Sequence, residues 1–309
     1  MLRPHRVLVC GVALTLAIGA PPTRGQQGDL PVDAQPLSAA DEAAVQAYVN
    51  QNVSGLTSAD HARAQAARDR LMDPALAKTS VGFRLYYSQR LADALGRMIS
   101  PSEDPWRAQL AMSVAGAVAT DSTLALLLKA LDDPRPAVRL AAARELGTLL
   151  DQVDQDGRAA VQQARIGPAI ATLRDALINE REALVAGELA KALGAPTRTP
   201  ALQNLALASM CTGMARWIAS PASDRDPFES VVASLRAVKT AKDQLIRRQI
   251  KGDAPKPLND AAATLADATL GYARSVVNNP SLDRDGRTLA GRLQDAATSL
   301  SQLATGFGG

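Results

Sequence analysis

Two side chains in the body of the chain carry intrinsic reactivity: His61 in "SADHARAQAARDR" and Cys211 in "ASMCTGMARW". An imidazole can act as acid or base near neutrality, and a thiol can be nucleophile, metal ligand or disulfide partner. Either role needs company. The sequence holds 2 histidines and 2 cysteines, and the other two, His5 and Cys10, fall near the start. A zinc site needs several such ligands and a nucleophilic triad needs a placed histidine, so neither is predicted. His61, among Asp60, Arg63 and Arg68, reads as a surface histidine. Cys211, flanked by Met210, Met214 and Trp217 at helical spacing, reads as a buried packing thiol. No catalytic residues, no metal and no cofactor are expected.

Two further patterns could hold ions. "LDRDG" at 282–286 begins like a calcium loop. Leu289 and Gly291 stand where later ligands belong and no glutamate closes the loop, so it reads as a helix start. The segment 236–256 is basic: Arg236, Lys239, Lys242, Arg247, Arg248, Lys251 and Lys256 stand against Asp243 and Asp253. Phe228, Val231, Leu235, Val238 and Leu245 recur opposite them at helical spacing, so the cations form a solvated face. That face is a candidate surface for an acidic partner or an anionic envelope surface. No interleaved aromatics support stacking on a single strand, and no glycine-rich phosphate loop occurs. No nucleic-acid partner is expected. "NVS" at 52–54 is a formal glycosylation sequon.

The start of the chain sets the expected compartment. Arg3 and Arg6 precede an apolar run from Val7 to Ala20, followed by Pro21–Pro22. That layout predicts a secretory signal peptide over 1–25, with cleavage after Gly19 or Gly25. The run is shorter than the ~20 residues a permanent span needs, so no transmembrane anchor is expected. Cys10, close to Arg6 and preceded by Val9, reads as filler and not as a lipid-attachment site. The protein is therefore expected to be exported, periplasmic or secreted. Removing Arg3, Arg6 and Arg24 takes the formal net charge from +3 to zero. The overall pI of about 9.0 is therefore no argument for nucleic acid or an acidic membrane.

Hydrophobic residues make up 47% of the chain and aromatics only 3%, which predicts a core of Ala, Leu and Val suited to closely packed helices. Residues 26–37 are polar and proline-bearing and read as a disordered lead-in. Beyond them the reading is helical. "SAADEAAVQAYVNQ" starts at the N-cap candidate Ser38, with Asp41 and Glu42 in its first turn, and "SADHARAQAARDRLM" repeats the device from Ser58. In 81–99, Leu85, Leu91, Leu95 and Met98 fall near one stripe.

The sequence also repeats internally. "DPWRAQLAMSVAGAV" at 104–118 aligns at an offset of 32 with the helix that starts in "RPAVRLAAARELGTL", Trp106–Arg107 falling on Val138–Arg139, and "VAGELAKALG" at 185–194 lies 47 residues after "VRLAAARELG" at 138–147. Each copy follows another apolar helix, at 83–99, 122–132 and 169–178. The polar insert "DQVDQDGRAAVQQARI" accounts for the longer second spacing. Units of this length repeating in series predict helical hairpins that stack.

Within the second unit, "ALDDPRPAVRLAAARELG" resembles the HEAT-repeat consensus: a first helix ending in leucine, Asp–Asp–Pro in the turn, then Val–Arg and an alanine-rich helix ending Leu–Gly. The resemblance is specific at 122–150, fair at 169–194 and weak at 83–119, about a third of the chain. It implies an α-solenoid with a concave surface for protein–protein interaction. It also implies that the turn aspartate, Asp132 or Asp133, bonds with Arg139 between successive units as a structural ladder. In the third copy Asn179 stands at the Asp132 position and Ala186 at the Arg139 position. Pro134 and Pro136 stop one helix and start the next, and Val138, Ala142, Leu146 and Leu149 are the expected buried stripe.

Past Thr199 the signature is lost. Four long helices follow, with turns at Pro221, Pro255–Pro257 and Pro280, and 306–309 should fray. They read as degenerate or capping repeats, or as an up-and-down bundle. The expected protein is all-α: a HEAT-like solenoid over 38–199, clearest at 122–194, followed by C-terminal helices over 200–305. Its expected work is non-enzymatic scaffolding of a protein partner. The alternatives are an enzyme or ligand-binding protein with a site between the repeats and the C-terminal helices, or a protein that touches the envelope surface through 236–256.

Overall fold

A carboxylate stands at the start of every second helix, and this regularity organises the fold. In the computed structural model, which describes residues 30–153, 158–194, 199–220, 225–251 and 255–306, twelve helices follow in order. They are α1 (Ala39–Leu56), α2 (His61–Leu76), α3 (Val81–Met98), α4 (Pro105–Val118), α5 (Asp121–Ala130), α6 (Pro136–Gln152), α7 (Gln163–Asn179), α8 (Ala183–Leu193), α9 (Pro200–Ala219), α10 (Pro227–Lys251), α11 (Lys256–Val276) and α12 (Arg284–Thr305). Asp60, Asp104, Asp226 and Asp283 each accept a backbone N–H in the first turn of α2, α4, α10 and α12, while Asp133 and Glu180 accept those of Arg135 and Glu182, the residues just before α6 and α8. There the helix dipole favours negative charge. The odd helices begin on hydroxyls where they are capped: Ser38, Ser80 and Thr120.

Consecutive helices pair as six hairpins, and the hairpins stack. The odd helices form one row, each packed on the next, and the even helices form a second row. All substantial helix contacts lie within a hairpin or between successive hairpins. The chain is thus an all-α, solenoid-like stack. The two rows continue through α9–α12. α9 packs on α7, α11 on α9, α10 on α8 and α12 on α10. Residues 31–309 form one unit with no boundary at 199.

Small residues set the spacing of the even row. A Cβ on Gly147 of α6 would lie 3.2 Å from the Cα of Ala192 on α8, and one on Gly187 of α8 would lie 3.4 Å from the Cβ of Ala233 on α10. Helices meeting backbone to backbone leave little room for larger side chains, in keeping with the alanine-rich composition. The expected stripe Val138, Ala142, Leu146 and Leu149 is wholly buried. In α3 the stripe differs from expectation: Leu85 is 49% exposed, and Phe83 and Tyr87 take the core positions with Leu91, Leu95 and Met98.

The core also contains a charge. Arg84 of α3 is 2% exposed. It donates to the Ala75 and Ala77 carbonyls at the end of α2 and to those of Ala117 and Val118 at the end of α4. One guanidinium therefore serves the orphan C-terminal carbonyls of two even helices, and burial pulls its pKa down to about 10.

Two linking segments are more ordered than composition suggests. Of the lead-in, 30–37 is described. Ser80 donates its N–H to the Val32 carbonyl at 2.8 Å and its hydroxyl to the Ala34 carbonyl at 2.8 Å, fixing that stretch against the start of α3. Disorder is corrected there because the α3 cap residue supplies both bonds. Past α6, the insert returns to the stack, with Ala160 N–H on the Ala119 carbonyl at 2.8 Å and Gln162 N–H on the Asp121 carboxylate at 3.0 Å. The signal-peptide reading of 1–25, including Cys10, and residues 307–309 lie outside the described residues.

Candidate functional site

The turn side of the stack carries a chain of charge-assisted hydrogen bonds. Arg139, in the first turn of α6, donates to both Glu180 oxygens, Nε to Oε2 at 2.9 Å and Nη2 to Oε1 at 2.8 Å. Glu180 opens the next hairpin's turn, so this is a bidentate bond between successive units. Its carboxylate also accepts the N–H groups of Arg181 and Glu182 at 2.8 and 3.0 Å. Burial alone would raise its pKa, but Arg139 and these N–H groups hold it below the usual carboxylate range. The Glu180 carbonyl in turn accepts Trp217 Nε1–H at 2.9 Å and Arg225 Nη2 at 3.2 Å from the following hairpin. On the other side, Arg135 donates to the carbonyls of Ser100 and Glu103 in the preceding hairpin.

Arg139 links successive units, but through Glu180 and not through the expected turn aspartate. Arg139 reaches forward to Glu180 and takes only the main-chain carbonyls of Asp133 and Pro134 in its own turn. The Asp133 carboxylate pairs with Arg135, Oδ1 to Nε at 2.8 Å and Oδ2 to Nη2 at 2.8 Å. That bond holds the Asp133 pKa below its ordinary value. Asp132 is not part of the ladder. It is exposed, because the turn gives its buried neighbour Asp133 the position facing Arg135. Glu180 stands 47 residues after Asp133, at the offset between the second and third copies, so the repeat itself marks it as the equivalent turn acid, one position beyond Asn179.

Asp132 lines a trough instead. α5 spans 10 residues between α3 with 18 and α7 with 17, and open space flanks it on both sides. Between α3 and α5 lies a groove of about 930 Å³, lined by Gly96, Ala125 and Leu126 together with the exposed Asp93, Arg97, Lys129 and Asp132. Between the α5–α6 turn and α7 lies a second, about 480 Å³, lined by Asp132, Thr172, Asp175, Asn179 and Arg181. Asp132 and Asp133 border both, joining a partly apolar groove to a mostly polar one, with charges of both signs along them.

The basic face of α10 is reduced. Arg236, Lys239 and Arg247 are exposed and Lys242 is half-buried. Arg248 is corrected: it is 6% exposed and belongs to the packed side of α10. The Lys251 side chain lies outside the described residues. Asp243 is exposed on the same helix, and Phe228, expected on the packed side, is 42% exposed. The face mixes charge and apolar surface, and it is not a continuous cationic stripe.

The other candidates fall as the residues suggested. His61 is exposed and stacks on Trp106 with ring centroids 4.1 Å apart. Cys211 is fully buried, and burial pushes its thiol up to about 12, far from a reactive thiolate. Asp283 caps α12, accepting Gly286 N–H at 2.7 Å, so "LDRDG" is a helix start. Asn52 of the sequon is 4% exposed and donates its amide to the Tyr48 carbonyl. Among the described residues, no group of three or more His, Cys, Asp or Glu is placed to hold a metal ion, and no helix is long and apolar enough to cross a membrane. No protein-family model matches the chain, and no curated protein is significantly similar to it.

Proposed function

We propose that this protein is an exported, HEAT-like scaffold that works without catalysis and binds a protein partner in the trough around α5. The observation that carries the reading is the pairing of the two grooves along a shared wall at Asp132. The larger groove offers apolar surface at Ile99, Ala125 and Leu126, while Asp93, Arg97, Lys129 and Asp132 stand exposed along it. A polypeptide segment with apolar side chains on one side and charges of both signs on the other fits such a surface. Export rests on the basic start, the apolar run to Ala20 and the Pro21–Pro22 break. The α10 face fits an envelope surface less well, since Asp243 interrupts its cations and Arg248 is packed away.

Site-specific photocrosslinking tests this. With a benzophenone amino acid at position 126, one protein should be captured from the exporting cells, and the adduct should fade in the double charge reversal Lys129→Glu/Asp132→Lys. The same probe at position 239 on α10 should not capture it. Equal capture at both positions, or an adduct insensitive to the reversal, overturns the reading.

A further inference from the structure

The groove between α3 and α5 has fixed ends. Hydroxyls tie the two helices where α5 begins, with Ser88 Oγ 2.6 Å from Thr120 Oγ1 and 2.7 Å from Ser122 Oγ. At the far end Arg135, just past the α5–α6 turn, donates to the Ser100 carbonyl at 3.1 Å. Between the ties, a Cβ added to Gly96 would stand 3.5 Å from Leu126 Cδ2. The two helices therefore run in the same direction, with Ser88 level with Ser122 and Gly96 close to Leu126.

That register orders the exposed charges along the groove. Asp93 comes first, Arg97 and Lys129 next and side by side, and Asp132 last. Asp93 and Arg97 are one turn apart on α3, and the Asp132 N–H bonds the Lys129 carbonyl at 3.2 Å across one turn, so each step along the groove is about 5 Å. Among the described residues, none of these four side chains takes part in an ion pair or a hydrogen bond. Arg68, Arg174 and Lys191, on other exposed faces, each hold a neighbouring carboxylate. Asp133, the other charged residue of the lining, is held by Arg135. What remains is a negative, positive, negative series of unused charges beside Ala125 and Leu126.

Both walls are helices whose backbone groups are bonded within themselves. An extended segment laid between them would leave its own N–H and C=O groups unpaired over the apolar part, whereas a helix satisfies them internally. Side chains on one side of a strand also recur at about 6.6 Å, against one turn of about 5.4 Å for a helix, and the helical step is the closer match. Resting on the trough as the docking surface, we infer that its occupant is an amphipathic α-helix of the partner protein. One face of that helix carries a basic, an acidic and a basic residue on successive turns. The two basic residues meet Asp93 and Asp132, the acidic one lies between Arg97 and Lys129, and an apolar neighbour packs on Leu126.

The probe is a capped, alanine-rich peptide of about 18 residues, long enough to be helical in water. It has lysine, glutamate and lysine at the fourth, eighth and eleventh positions and leucine at the fifth and twelfth. The control has the same composition, with glutamate at the fourth position and lysine at the eighth and eleventh. Binding of the labelled peptides to the full chain is read by fluorescence anisotropy at low salt. The alternating peptide should bind saturably and the control about fivefold more weakly, the order expected when exposed charge pairs are misplaced. Arg97→Glu/Lys129→Glu, both at exposed positions, should lose that preference and bind best a peptide with lysine at all three positions. No saturable binding, equal affinity for the two peptides, or an unchanged preference in the double variant overturns the inference. The peptide comparison on the unaltered chain decides alone should the variant fail to fold. Capture at position 126 with equal peptide affinities removes the helical pattern only, whereas failed capture removes the trough reading itself.

Discussion

Arg139 and Glu180 show what a single pair does in a stacked fold. Their side chains are 17% and 5% exposed, so the pair is mostly shielded, and removing one partner strands the other. Arg139→Ala should cost about 2 kcal/mol in urea unfolding, below the range for fully buried pairs because the guanidinium keeps some water. Glu180→Gln should recover part of that loss in the double variant, since no buried charge is then left alone. The pH dependence has a definite sign. The folded pKa of Glu180 lies below its unfolded value, about 4.3. The stability it contributes is therefore fully present above that value and is lost as pH falls through the folded pKa. Wild type and Glu180→Gln should converge in stability as the solution is acidified from about pH 5; a constant gap down to the acid transition contradicts the pairing. At this scale the sequence disclosed Arg139 and the turn acid but not their wiring. Which of two adjacent aspartates turns inward depends on backbone direction in the turn, and periodicity does not encode that.

At the level of helices, glycine positions decide how closely neighbours approach. Gly147 leaves only 3.2 Å between a new Cβ and the Ala192 backbone, a contact that cannot yield by rotating a side chain. Gly291, inside α12, has no atom within 4 Å of the same added carbon. The two glycines look alike in sequence, each inside an alanine- and leucine-bearing helix, and should respond oppositely. Gly147→Val should push α6 from α8 and cost about 2 kcal/mol. Gly291→Ala should gain up to about 1 kcal/mol by raising helix propensity where nothing is crowded. Thermal melts of both variants check this, and a destabilising Gly291→Ala would mean that α12 packs more tightly than its position shows. Helix positions and hairpin order were legible because caps, prolines and periodic apolar residues are local. The continuation of both rows through α9–α12 was not. Those units lost the Asp–Pro…Val–Arg signature while keeping the small residues and capping acids that stacking requires.

For the whole molecule, the contact pattern sets how stability is distributed. Among the described residues, each hairpin makes its substantial contacts with its neighbours in the series, so no long-range closure forces the stack to unfold at once. The inner hairpins are covered on both sides, and the bonds of Arg135, Arg139, Trp217 and Arg225 tie hairpins two to five along one edge. Hairpin six is covered on one side only, and the Tyr272 hydroxyl reaches back to the Pro227 carbonyl at 3.4 Å. Amide exchange should accordingly be slowest in α6 and α8 and faster in α12, although α12 is among the longest helices. Introducing Gly147→Val should accelerate exchange in the third and fourth hairpins well before it reaches the sixth. Uniform acceleration across all six would show that the stack behaves as one cooperative block.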